Sequence, residues 1–86
     1  MSMKLEELSY PIYRKRKNNR SFYKINSVNQ FDEIQSMGTK YIFYSFTISQ
    51  YPEILMLMDM IAMTNDLYEE FDNNEWEVLK IKTGTL

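Results

Sequence analysis

The densest chemistry in this chain is a run of cations. Arg14, Lys15, Arg16, Lys17 and Arg20 fall within seven residues, flanked by Tyr13, Phe22 and Tyr23. Guanidinium and ammonium groups hold phosphate, and neighbouring rings can stack on bases. The run is therefore the candidate anion-binding site, and it supports a reading as a nucleic-acid or polyanion binder. The plainer reading is a solvated hairpin tip whose cations guard a strand edge. The net charge of −2 and the shortness of the run favour the plainer one.

An acidic cluster follows much later, at Asp66, Glu69, Glu70, Asp72, Glu75 and Glu77. A calcium loop needs oxygen ligands at alternating positions and a glycine at its turn, and Leu67 and Tyr68 occupy those slots. Asp72 and Glu75 instead suit the positive end of a helix dipole. No metal site and no cofactor are expected.

The chain has no cysteine and no histidine. Thiolate catalysis, disulfides and imidazole general-base chemistry are thereby excluded. Ser9, Ser21, Ser27, Ser36, Ser45 and Ser49 have no histidine to activate them. No motif sets two carboxylates across a cleft, and no glycine-rich loop is present to cradle phosphate. With no nucleophile–base pair to name, the expectation is a protein that is not an enzyme.

The third group is apolar. Tyr41, Phe43, Tyr44 and Phe46 lie in one run, and Met56, Met58 and Met60 in the next. Methionine is flexible and polarizable, and it serves adaptable contact surfaces as well as cores. The two runs carry more two-faced apolar surface than two short helices can cover. These seven residues are therefore the candidate interface, with a second copy or another protein as the partner. Asp59, inside the second run, would need a cation if buried, and Arg14, Arg16 and Lys24 are candidates.

The elements that must position these groups are short. Eighty-six residues make one domain, 1–86, with a loose segment at 1–9 and a tail at 83–86. Tyr10-Pro11-Ile12-Tyr13 opens the first strand and Ser21 to Ile25 is the returning one, so residues 11–26 read as a hairpin turned by Asn18-Asn19, with the cations at its tip. Lys40 to Ser49 reads as the strongest strand, being almost wholly aromatic or β-branched. Leu67 to Phe71 is a further short strand.

Two stretches echo each other. Tyr23 precedes Ser27 and Gln30, and Tyr68 precedes Asp72 and Glu75. Each trio fits a strand running into a capping box, where a side-chain oxygen accepts the amide three residues on. Helices are thus expected over 28–37 and 73–82. For the first the rival is a strand over Phe31–Met37 turning at Gly38-Thr39. Ile54 to Met63 fits helix or strand, because both faces are apolar and periodicity does not arbitrate; strand is favoured. The expected fold is α+β: an antiparallel sheet of four to five strands with two short helices packed on one face.

Charge divides unevenly. Residues 1–40 hold eight basic and four acidic side chains, a balance of +4; residues 41–86 hold two and eight, a balance of −6. The halves are expected to steer each other. The N-terminus carries Glu6 and Glu7 and no apolar core of a signal peptide. The longest apolar run, Ile54 to Met63, is about half the ~20 residues of a membrane span. The cytoplasm is the expected address, with no membrane partner.

Tyr13-Arg14-Lys15, Asn18-Asn19, Ser21-Phe22-Tyr23-Lys24-Ile25, Phe31-Asp32-Glu33-Ile34-Gln35, Gly38, Pro52 and Asp59-Met60 resemble a family of short, uncharacterised bacterial proteins. The resemblance implies no activity, cofactor or catalytic residue. The expected function is accordingly a small, non-catalytic protein-interaction or assembly module.

Overall fold

The computed structural model describes residues 7–84; the start of the N-terminal segment and the last two residues of the tail lie outside them. Five strands form one antiparallel sheet: β1 (Ile12–Arg16), β2 (Ser21–Ser27), β3 (Gln30–Met37), β4 (Lys40–Thr47) and β5 (Tyr68–Glu70). The spatial order is β4-β3-β2-β1-β5, so β4 and β5 are the edges. Two helices complete the domain, α1 (Tyr51–Ala62) and α2 (Asn73–Lys82). The class is α+β, as the sequence suggests, but three details differ.

First, residues 28–37 are not a helix. Ser27 bonds the side chain of Asn29 across a turn at 2.8 Å rather than capping, and Gln30 opens β3. Phe31 and Ile34 are three apart, which fits one helical face but puts them on opposite faces of a strand. Both are buried, because both faces of this sheet are covered. Gly38, at φ +63°, then opens a two-residue turn with Thr39, as a type II′ hairpin requires.

Second, Ile54–Met63 is helical apart from its last residue. Pro52 sits in the first turn, and leucine, methionine and alanine are strong helix formers. Leu57, Met60 and Ile61 form the buried stripe. Gln50 is the N-cap residue and contributes no side-chain bond, in keeping with the poor capping chemistry there. Asp59 is exposed and needs no buried cation.

Third, the helices lie on opposite faces. Leu57, Met60 and Ile61 of α1 cluster with Tyr23, Ile25, Phe31 and Tyr68, while Trp76 and Leu79 of α2 cluster with Phe22 and Ile34. Phe22 and Tyr23 are consecutive in β2 and so point to opposite sides. A sheet with apolar side chains on both sides needs two covers, and one helix goes to each.

The second capping box forms as read. Asp72 Oδ1 accepts the Glu75 amide at 2.8 Å, and Lys80 and Lys82 complement the dipole in the last turn. The echo therefore has one strand-to-helix unit and one strand–turn–strand unit. On the α2 face, Asn26, Gln30, Asp32 and Ser45 form a hydrogen-bonded net that ties β2, β3 and β4 together.

Candidate functional site: a free sheet edge and the groove beside it

The cations of the first hairpin do not form one surface. Strand alternation sends Arg14 and Arg16 to the α1 face and Lys15 to the α2 face. Arg14 Nε and Nη2 donate to the backbone carbonyls of Met60 and Ile61 at 3.0 Å each, and Nη1 donates to Tyr13 O at 2.9 Å. The last turn of α1 has no basic residue of its own, so Arg14 satisfies its carbonyl end from the sheet. Burial pulls the Arg14 guanidinium below its ordinary range, and Glu70 at 4.0 Å pulls it partly back.

Lys15 lies 3.8 Å from Glu69 and 3.6 Å from Glu75. Arg16 sits 5.3 Å over the Tyr68 ring, and Lys17 pairs with Asp66. The acidic half thus meets the basic half along β1 and β5. Of the five cations, only the Arg20 side chain has no partner among the described residues. Its amide bonds Asn18 Oδ1, which shapes the turn.

The seven apolar candidates separate as clearly. Met60 is 0 % exposed and belongs to the core. Met58 is half-buried and Met56 is exposed on α1. Tyr41 and Phe43 lie on the α2 face, beneath Lys82 and Lys80, whose ammonium groups stand 5.5 and 5.6 Å from the ring centres. Tyr44 and Phe46 lie on the α1 face, 37 % and 38 % exposed. The Phe46 ring stacks on Tyr44 at 6.1 Å and on buried Phe31 at 5.1 Å.

The two edges differ. β5 has three residues, two of them Glu69 and Glu70. β4 has eight, with Lys40 at its start as its sole charge, and no proline. In a two-residue hairpin the flanking pair, here Met37 and Lys40, exchanges both backbone bonds. Ile42, Tyr44 and Phe46 then bond inward to β3. Tyr41, Phe43, Ser45 and Thr47 present N–H and C=O groups outward.

Between this edge and α1 lies a half-open cavity of about 360 Å³ lined by Phe31, Glu33, Phe46, Glu53 and Met56. Glu33 was not among the residues singled out from sequence. Phe31 and Ile34 flank it at three-residue spacing, a pattern that gives no sign of a buried carboxylate, and in the fold it is 8 % exposed. Gln35 Nε2 donates to its Oε2 at 3.0 Å.

Burial, and after it the charge of Glu33, holds the neighbouring Tyr23 phenol above its ordinary range. A proton held more tightly in the folded state gives stability that is complete below the unfolded value, about pH 10, and is lost as pH rises past it. The urea midpoint of the wild type is expected to fall more steeply than that of Tyr23→Phe above about pH 10. Parallel slopes would show that Tyr23 does not titrate in this range.

Among the described residues no group of three or more acidic side chains is placed to hold a metal ion, and no helix is long and apolar enough to cross a membrane. Compared with known proteins, the chain matches no family model, no curated protein and no solved structure.

Proposed function

We propose that this protein is a non-catalytic interaction module that recruits another chain along the free edge of β4, and that the chain is a second copy of itself. The observation that supports this is the contrast between the edges. Sheet edges that stay unpaired are short, charged or kinked, as β5 is; a long, aromatic edge is a template for strand addition.

A second copy fits because β4 is self-complementary in the antiparallel sense. With Tyr44 on the two-fold axis, Ile42 faces Phe46 of the second copy, Phe43 faces Ser45, and Tyr41 faces Thr47. Each outward backbone group then meets its complement, and each pair joins an aromatic to an aromatic, aliphatic or hydroxyl side chain. Two-fold pairing of this kind is also the commonest closed assembly.

The test is mass against concentration. The expected result is a rise from one chain toward two across about 1–100 μM. Thr47→Pro removes an N–H that points away from β3, where proline is tolerated in an edge strand, and should leave a folded monomer. Ile42→Lys, which places a guarding charge on the same edge, should do likewise. A wild type that stays a single chain throughout, or variants that dimerise unchanged, would refute the reading.

A further inference from the structure

We propose that the groove between β3, β4 and the first half of α1 binds a small organic cation, an ammonium or guanidinium carried on an apolar body. This goes beyond edge pairing and does not rest on it. Among the described residues Glu33 is the one charged side chain that is buried. A carboxylate so placed needs a cation or a full set of donors. Its hydrogen-bond donor is one neutral amide, from Gln35. Among the described residues no lysine or arginine lies within ion-pair distance of it.

Two arginines of the same face are committed elsewhere. Arg14 is turned to the carbonyls of Met60 and Ile61, and Arg16 stands over Tyr68. The chain therefore buries a carboxylate beside an open cavity with no cation of its own paired to it among the described residues.

The other walls suit the same ligand. Glu53 brings a second carboxylate from the first turn of α1, engaged only by the Ser49 amide at 3.4 Å. Phe31 and Phe46 stack at 5.1 Å with 24° between their planes and offer ring surface for a cation or its hydrocarbon body. Met56 supplies an adaptable thioether. A cavity of about 360 Å³ falls at the small end of the range used for small ligands. Two carboxylates among rings select for positive charge, and the volume sets a ligand with few heavy atoms beyond the charged group.

The probes are phenethylammonium and butylguanidinium, against neutral 2-phenylethanol, titrated while backbone amide resonances are recorded. Each cation is expected to shift the amides of Phe31, Glu33, Phe46 and Glu53. The neutral probe should bind at least about tenfold more weakly. Glu33→Gln keeps the shape and the bond to Gln35, and should weaken the cations by about tenfold while leaving the neutral probe unchanged. Glu53→Gln, at a half-exposed position that does not carry the core, should act in the same direction.

Equal binding of the neutral probe, insensitivity to both substitutions, or no shifts at about 10 mM probe would each overturn the proposal. A blocked Gly-Lys-Gly peptide is the last arm. Binding tighter than the free amines would make the occupant a protein side chain and overturn the small-molecule assignment.

Discussion

Arg14→Met is expected to destabilise the domain by about 3–5 kcal/mol, the cost of stripping charged donors from buried carbonyls. The methionine keeps most of the apolar stem and removes the fork. The carbonyl of Ile61 then loses its Nη2 donor, Met60 O loses Nε and keeps only the Met63 amide at 3.3 Å, and Tyr13 O loses the third. Small domains are held by only about 5–15 kcal/mol in all, so this is a large fraction. Urea and thermal midpoints measure it; at about 4–8 °C per kcal/mol, the fall in Tm is tens of degrees.

Two further variants isolate the cause. Arg14→Lys keeps the charge but has no planar fork to span two carbonyls, so it should recover less than half of the loss. Glu70→Gln removes the 4.0 Å ion pair, whose carboxylate side chain is 71 % exposed, and should change stability by less than about 1 kcal/mol. If Arg14→Met were as mild as Glu70→Gln, α1 would be held by its apolar stripe alone.

Trp76 gives the second large effect, and it has an internal contrast. The side chain is 0 % exposed at the centre of the α2 cluster, with Tyr13 and Phe71 each 6.4 Å away by ring centre. Trp76→Ala leaves a cavity there and is expected to cost about 3–5 kcal/mol. Trp76→Phe should stay within about 1.5 kcal/mol. The indole Nε1 is buried with no hydrogen-bond partner, so phenylalanine removes a stranded donor along with the apolar area it loses. Far-ultraviolet circular dichroism in urea is the suitable readout, since Trp76 is the sole tryptophan and its fluorescence vanishes in both variants. A Phe variant as damaged as the Ala variant would mean that the indole N–H is satisfied in solution.

Much of the fold was legible where local chemistry decides. The hairpin at Asn18-Asn19 and the Asp72–Glu75 cap formed as read, and the strand read over Lys40 to Ser49 formed up to Thr47, because turn, strand and cap preferences act within a few residues. The candidate contact surface was legible only in part. Tyr44 and Phe46 lie exposed beside a free edge, whereas Met60, of the same type as exposed Met56 one helical turn before it, points inward from α1. The basic run was visible at once, yet its employment was not. Its partners at positions 60, 61, 66, 69, 70 and 75 come from residues about fifty places along the chain.

Taken alone, the sequence determines that cysteine and histidine chemistry is excluded, that a hairpin turns at Asn18-Asn19 and an aromatic strand follows from Lys40, and that opposite charges are divided between the halves. Tertiary structure decided the rest. Phe31 and Ile34 suit one face of a helix or both faces of a strand, and only two covering helices make the strand the better burial. Ile54–Met63 lies mostly within a helix whose Leu57, Met60 and Ile61 stripe covers one face of the sheet. Glu33 is the one buried charge among the described residues, and it lines the groove between β3 and α1. The physical reason is common to all three: propensity and capping are settled by neighbours in the chain, whereas burial on a two-sided sheet is settled by elements that arrive from far along it.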